Sequence, residues 1–230
     1  GASPRRTPAT TTGTRTDLLF RVDPGTMDAA GTASLGIRIG DVVTMPKAFV
    51  PLALTRATGR SFDDRVGVAA QILALRRLVP ARLRHEVVFI FSTREETGLS
   101  GARAAANALG TTPARVHALD TFVSADAPLE LRTFAWAPIG RGPVARAVDN
   151  SSVTPPALVD SLVALATKRG IQLQVGTTNG GNDGSVFTRW GVADVPIGWP
   201  LRYSHSPAEV IDLRDVASLA DLVLALVERW

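Results

Sequence analysis

Residues 86–96 have the sequence EVVFIFSTREE, which carries the clearest signal for the fold. The continuous run of apolar, β-branched and aromatic residues from Val87 to Phe91 is typical of a strand that is buried on both faces of a sheet. A polar turn with two adjacent glutamates, Glu95 and Glu96, follows the run. In open α/β sheets the functional side chains collect at the carboxyl ends of strands, so this position favours a site as well as a strand.

Strands and helices alternate on both sides of this run. We predict further strands at 18–22, after the 36–40 turn, and at 115–123, 171–175 and 194–199. Helices are predicted from residue 66 to Pro80 and at 98–110, 155–169 and 213–229, the last from apolar residues at i, i+3, i+4, i+7 and i+8. The alternation predicts an α/β sandwich.

The composition restricts the chemistry that the chain can perform. There is no cysteine and there are three histidines among 230 residues. Disulfides, thiolate metal sites and cysteine nucleophiles are therefore excluded, and a metal site would have to consist mostly of carboxylates. The hydrophobic fraction of 45% is sufficient for a sizeable core. No apolar run reaches the roughly 18 residues of a membrane span, so we expect no membrane partner.

The formal net charge of +4 does not indicate a nucleic-acid-binding protein. Arg5, Arg6 and Arg15 lie in the first 17 residues, a Thr-rich and Pro-containing stretch that we expect to be a flexible tail. Elsewhere no basic residues cluster into the stripe that a nucleic-acid footprint requires. The beginning of the chain also lacks the apolar stretch of a secretory signal, so a cytoplasmic location is expected.

Acidic residues and one histidine stand at four predicted strand ends. They are Asp63 and Asp64, Glu95 and Glu96, Asp120, and His205. Each has a simpler explanation when taken alone: an aspartate can cap a helix, glutamates can be solvated in a first helical turn, and a loop histidine can lie on the surface. Together they would repel one another at one sheet edge unless a cation lay among them. We therefore predict a divalent metal ion.

The adjacent pair of glutamates indicates a reaction. One carboxylate can bind the metal while its neighbour acts as general base toward a water molecule that the metal activates. The metal lowers the pKa of that water towards about 7 and polarises a carbonyl group. This chemistry is metal-assisted hydrolysis of an amide or ester.

Four sequence blocks make the chain similar to a known family. They are SFDDRVG at 61–67, REETGLSGA at 94–102, ALD at 118–120 and RYSHSPAEV at 202–210. In this order and at these separations they resemble the glutamyl aminopeptidase and deblocking (tetrahedral) aminopeptidase family of co-catalytic metallopeptidases. The resemblance implies a three-layer α/β sandwich with a mixed, mostly parallel sheet flanked by helices. Residues 18–43 resemble the segment by which that family's small β lid domain returns to the catalytic domain.

The resemblance also assigns roles to residues and implies a cofactor. Asp63 would bridge two metals, Glu96 and His205 would complete one, and Asp120 would belong to the other. Glu95 would be the general base. Asp64 would support the metal ligands without binding the metal itself, and the peptide between Asp63 and Asp64 would be cis. Asn182 and Asp183 would lie in a Gly-rich loop near the substrate. The implied cofactor is Zn or Co, with Mn as an alternative, at one or two per chain. The implied partners are a peptide substrate and further copies of the chain.

The chain departs from the family in one metal ligand. The family's second metal takes a histidine from an upstream His-x-Asp motif, whereas this sequence has no histidine before residue 85. His85 precedes a predicted strand, and His117 lies three residues from Asp120 and would face the other side of the sheet, so neither is a good substitute. Arg94 also replaces the residue, usually Gln, that the family has before its glutamate pair. We expect a tail at 1–17, the end of a lid domain at 18–58, and a metallopeptidase catalytic domain at 59–230.

Several functions are compatible with this pattern. The first is an aminopeptidase-type hydrolase whose metal occupancy is closer to one ion than to two per chain. The second is a catalytically impaired homologue that acts as a binding or assembly subunit, and a third possibility is that another chain supplies the missing ligand. A carboxypeptidase or deacylase of the wider clan is less favoured, because the interval between Asp120 and His205 leaves little room for the domain that such enzymes often insert.

Overall fold

The computed structural model describes residues 22–46, 48–128, 130–131 and 135–230, which fall into two compact units divided between residues 45 and 46. The predicted tail and residues 18–21 of the first predicted strand lie outside the described residues. In the first unit, α1 (Ala29–Ser34) is capped by Asp28, whose carboxylate accepts a hydrogen bond from the Gly31 N–H. The prediction of a strand after the 36–40 turn is wrong, because residues 41–46 pair with no strand of the described chain and Val42 is 87% exposed.

The second unit contains nine strands and four α-helices among its described residues. The strands are β1 (Val50–Pro51), β2 (Arg56–Gly59), β3 (Arg115–Val116), β4 (Leu119–Val123), β5 (Val144–Val148), β6 (Gln174–Thr177), β7 (Ala193–Asp194), β8 (Ile197–Leu201) and β9 (Glu209–Asp212). The helices are α2 (Phe62–Arg77), α3 (Ser100–Ala108), α4 (Pro156–Lys168) and α5 (Leu213–Arg229), with 3-10 helices at Pro80–Arg82 and Asp183–Trp190.

The central sheet is mixed and mostly parallel, as expected. Its order is β4-β8-β5-β6, with β4 parallel to β8, β5 parallel to β6, and β5 antiparallel to β8. A smaller antiparallel sheet has the order β1-β2-β9, and β3 pairs in parallel with β7. Since β9 directly precedes α5 and follows the loop that holds His205, the small sheet positions that loop.

Helices cover the sheet through two apolar clusters. The larger cluster joins α2, α4 and α5 to the inner face of β8, where Ile197, Trp199 and Leu201 are fully buried. Each such side chain contributes about 1.5–3 kcal/mol when buried. The second cluster lies between α3 and the Asp183–Trp190 helix. Phe89 packs against the first cluster and its neighbour Ile90 against the second, so residues 86–92 run between two helical layers, as in a sandwich.

The segment 86–92 nevertheless is not the doubly buried strand that its sequence predicts. No backbone hydrogen bond joins it to any other segment of the described chain, and Val88 and Phe91 are about half exposed, at 52% and 47%. A strand requires neighbours that satisfy its N–H and C=O groups. Within the described residues, β4 pairs with β8 and not with this segment. The prediction of a doubly buried strand at residues 86–92 is therefore wrong.

The helix predictions agree well with the structure, and the strand predictions agree less well. Helix α5 has the predicted bounds, α3 and α4 fall within their predicted ranges, and α2 begins earlier than predicted, at Phe62. Strand β6 is shifted along the chain from the predicted 171–175. Strands β1, β2, β5 and β9 were not predicted, because each is short and contains proline, glycine or charged residues. No helix in the described parts of the chain combines the length and apolarity needed to cross a membrane.

Candidate metal centre

Two neighbouring aspartates form a local break near the start of α2. Asp63 and Asp64 have non-helical backbone angles, and the peptide between them is cis, as the resemblance implies. Asp64 Oδ1 accepts hydrogen bonds from the Gly67 N–H at 2.9 Å and from Trp199 Nε1 at 3.2 Å. A side chain at position 67 would collide with the Asp64 carboxylate, so glycine is required there. Asp64 thus caps the helical part of α2 that follows the break, whereas the Asp63 carboxylate faces the loop of His205.

A buried glutamate holds the histidine loop against this break. Glu209, which is 2% exposed, accepts hydrogen bonds from the Phe62 N–H at 2.6 Å through Oε2 and from the His205 N–H at 3.1 Å through Oε1. His205 and Tyr203 both have positive φ angles, of 57° and 59°, so this turn is one that L-residues rarely adopt. One carboxylate on β9 therefore fixes the backbone on both sides of the candidate centre.

Three of the predicted ligands come together. Nε2 of His205 lies 3.0 Å from Asp63 Oδ2 and 3.2 Å from Glu96 Oε1. Ser204 also donates to Asp63 Oδ2, at 3.3 Å. One ligand atom from each of Asp63, Glu96 and His205 lies within 4.8 Å of the others, the single group of this kind among the described residues. Two carboxylates and an imidazole with an open side suit a catalytic divalent cation, whose ligands lie about 2.0–2.2 Å from the ion.

Electrostatics around the cluster favour a positive charge. Burial raises the pKa of Asp63, the negative charge of Glu96 raises it further, and His205 lowers it. Burial, followed by the charges of Asp120 and Glu96, raises the pKa of Glu95 to about 7. Burial and the charge of Asp120 also hold the pKa of Asp64 well above its usual range. A cation at the cluster would relieve this mutual repulsion.

Asp120 is placed differently from the three clustered residues. Its Oδ2 lies 3.1 Å from Nη1 of Arg146, and its Oδ1 accepts a hydrogen bond from the Thr121 N–H at 2.6 Å. Burial raises its pKa to about 6, although Arg146 lowers it. Its charge is nevertheless felt by Asp64 and Glu95, so Asp120 borders the centre.

The loop that contains Asn182 and Asp183 is tied to the same region. Asn182 is fully buried, caps the Asp183–Trp190 helix by accepting from the Gly184 N–H at 2.7 Å, and donates to Asp149 at 2.9 Å. Asp183 accepts a hydrogen bond from the Ser92 hydroxyl, and its charge contributes to the raised pKa of Glu95. Asn182 is thus committed to internal hydrogen bonds, whereas Asp183 lies near the glutamate pair.

His117 does not take part in the cluster. Its ring is half-buried, Nδ1 lies 3.0 Å from the Val195 carbonyl oxygen, and the ring packs on Trp230 with centroids 5.0 Å apart. Burial lowers its pKa to about 4, which is typical of a neutral core histidine.

Sequence reasoning missed Glu209, Ser204 and Arg146. Glu209 stands beside the apolar residues of β9, and Arg146 is the single charge in the strand sequence VARAV. A charged residue within an apolar strand requires a partner, which is the signal that could have identified both.

Fold and site together define a class of protein: an α/β sandwich that presents carboxylates and one imidazole beside the carboxyl ends of its strands. The chain belongs to the M42 glutamyl aminopeptidase family, whose family model matches residues 9–222.

Individual relatives agree with this assignment. A lysyl aminopeptidase of Pyrococcus furiosus is 31% identical over 220 residues, which are 90% of this chain and 58% of the relative. An aminopeptidase structure from Desulfurococcus kamchatkensis is 31% identical with a TM-score of 0.85, over 90% of this chain and 59% of that one.

A TET1 peptidase structure from Pyrococcus horikoshii, described as assembling into a tetrahedron or a large octahedral shell, is 32% identical with a TM-score of 0.82, over 97% of this chain and 67% of that one. The chain spans less than 60% of the length of the curated relatives that it matches.

Proposed function

We propose that the chain performs metal-dependent hydrolysis of N-terminal peptide bonds, as an aminopeptidase. The observation that carries this proposal is the approach of Asp63, Glu96 and His205 to within 4.8 Å of one another beside Glu95. The aminopeptidase names of the relatives favour the amino end of a peptide as the substrate, rather than its carboxyl end.

Each residue has a defined part in the proposed reaction. Asp63, Glu96 and His205 would hold one Zn, Co or Mn ion, which when bound would polarise the scissile carbonyl and make water a stronger nucleophile. Glu95 would accept the proton of the attacking water and deliver it to the leaving amine, a role suited to its pKa of about 7. Glu209 would keep the backbone of Phe62 and His205 in place, and Asp183 would contribute negative charge near Glu95.

Substitution of Glu95 tests the proposal. Glu95→Gln keeps the size of the side chain but removes the base, so we expect hydrolysis of leucyl and glutamyl peptide substrates with added Co²⁺ to fall by about 10²–10⁴-fold. Glu130→Gln changes an exposed glutamate and should retain full turnover. Equal activity of the two variants would contradict the proposed role.

A second candidate function is that of a catalytically impaired homologue acting as a binding or assembly subunit. The unpaired backbone of residues 86–92 and the exposed side chains of Val88 and Phe91 favour it, since such an edge is a template for pairing with another strand. Absence of turnover with every divalent metal, together with a larger native mass than that of one chain, would support this function over catalysis. A cytoplasmic location and self-association are part of the proposal in either case.

A further inference from the structure

Arg146 is buried beside the candidate metal centre and has no part in the proposed reaction. It lies on β5, is 2% exposed, and its guanidinium group contacts two carboxylates. Nη1 is 3.1 Å from Asp120 Oδ2, and Nη2 is 3.0 Å from Asp149 Oδ2. The same two nitrogens donate to the carbonyl oxygens of Thr121 and Gly181 at 3.2 and 3.0 Å. Such a group is a fixed internal cation.

The sheet is arranged so that this arginine can reach Asp120. Strand β8 lies between β4 and β5, and it places Gly198 opposite Asp120. Because glycine has no side chain, β8 contributes none between β4 and β5 at this position. Both oxygens of the Asp120 carboxylate are engaged, Oδ2 by Arg146 and Oδ1 by the Thr121 N–H. A divalent cation at Asp120 would have to share that carboxylate with a buried positive charge, which would repel it.

The arginine also links Asp120 to the loop beside Glu95. Asp149 Oδ2, its other partner, accepts from Nδ2 of Asn182 at 2.9 Å, and Asn182 caps the helix that begins at Asp183. The guanidinium therefore neutralises one carboxylate at the border of the site and anchors the loop that carries another.

We infer that Arg146 is a positioning residue that takes the place of a second metal ion: it neutralises Asp120, so that the centre formed by Asp63, Glu96 and His205 binds a single divalent cation. This inference rests on the proposed function, because it concerns the same centre. It assigns to Asp120 a partner that is part of the protein, in place of the second metal that the resemblance implies.

Metal stoichiometry tests the inference without any measurement of activity. Co²⁺ is titrated into the chelator-treated chain, with binding followed by calorimetry and by visible absorption. We expect about one tightly bound Co²⁺ in the unaltered chain and in Asp120→Asn, with dissociation constants that agree within about threefold. His205→Gln should weaken binding by about 100-fold or more, because loss of a ligand costs at least as much as loss of its supporting partner.

Substitutions of the arginine provide the second arm. Arg146→Gln frees the buried carboxylates of Asp120 and Asp149, so we expect a second, weaker Co²⁺ to bind, whereas Arg146→Lys keeps the charge and should bind about one. Arg169→Gln removes a different arginine, which is paired with Glu228, and should bind as the unaltered chain does. Circular dichroism reports whether each variant folds. If Arg146→Gln does not fold, the metal stoichiometry of Asp120→Asn decides whether Asp120 is a metal ligand.

The outcomes separate the two proposals. About two tight equivalents in the unaltered chain, falling to about one in Asp120→Asn, would make Asp120 a ligand and overturn the inference while the proposed function stood. Binding of no metal by the unaltered chain would overturn the proposed function itself.

Discussion

Replacement of Glu209 by glutamine alters the carboxylate that the Phe62 turn and the His205 loop share. In the structure its two oxygens accept from two backbone N–H groups, at 2.6 and 3.1 Å. Glutamine retains one acceptor oxygen, and its NH₂ group then faces the second N–H with no acceptor between them. We therefore expect both the stability of the fold and the geometry of the metal ligands to suffer.

The expected magnitude follows from these contacts. A hydrogen bond to a charged group contributes about 1.5–3 kcal/mol, and a buried N–H left unpaired costs about 1–3 kcal/mol. Glu209→Gln removes the charge from one such bond and eliminates the other, so the free energy of unfolding should fall by about 2–4 kcal/mol. The loss of support for His205 should weaken divalent-cation binding by about 10–100-fold.

Urea unfolding and calorimetric Co²⁺ titration measure the two effects on the same preparation. Glu130→Gln, which changes an exposed glutamate, is the matched control and should leave both quantities unchanged. If Glu209→Gln unfolds at the same urea concentration and binds Co²⁺ as tightly as the control, Glu209 does not hold the two loops together and the reasoning is refuted.

Three further predictions concern stability and backbone protection. Burial raises the pKa of Asp120 from 3.8 to about 6, so the folded state binds more protons than the unfolded state between these values. The free energy of unfolding of the metal-free chain should therefore fall as the pH rises from about 4 to 7, by up to about 3 kcal/mol for this group, and urea titrations of Asp120→Asn should show a flatter dependence. Amide hydrogens of residues 86–92 should exchange faster by mass spectrometry than those of β8, because they lack backbone partners; equal protection would contradict the unpaired edge. Gly67→Ala should lower the thermal midpoint, corresponding to about 1–3 kcal/mol, because the new Cβ displaces the Asp64 cap, whereas an unchanged midpoint would show that the cap tolerates the side chain.

Local signals made the helices predictable from the sequence. The apolar stripe of α5 and the proline and glycine that flank α4 depend on neighbours a few residues away. The segment 86–92 has the composition of a buried strand, but a strand exists only when another segment pairs with it. No segment of the described residues pairs with 86–92, so its composition alone could not predict that it forms no strand.

The sequence predicts which side chains form the candidate site, but it does not predict the residues that hold those side chains in place. The family resemblance implies that Asp63, Glu96 and His205 share one metal, and the structure brings these three side chains together. Glu209 is separated from Phe62 by 147 residues, and Arg146 reaches Asp120 across the intervening strand β8. Contacts of this kind join residues that are far apart in the sequence, and they depend on which segments become neighbours in the fold, which no local pattern specifies.

X-ray absorption spectroscopy of the zinc-loaded chain tests most directly whether a single ion is bound by the imidazole of His205 together with the carboxylates of Asp63 and Glu96. We expect a shell of nitrogen and oxygen ligands near about 2.0–2.2 Å, with the outer scattering of about one imidazole per zinc. In His205→Gln the imidazole signal should disappear, although His85 and His117 are retained. An imidazole signal that persists in this variant, or that is absent from the unaltered chain, would contradict the proposed centre.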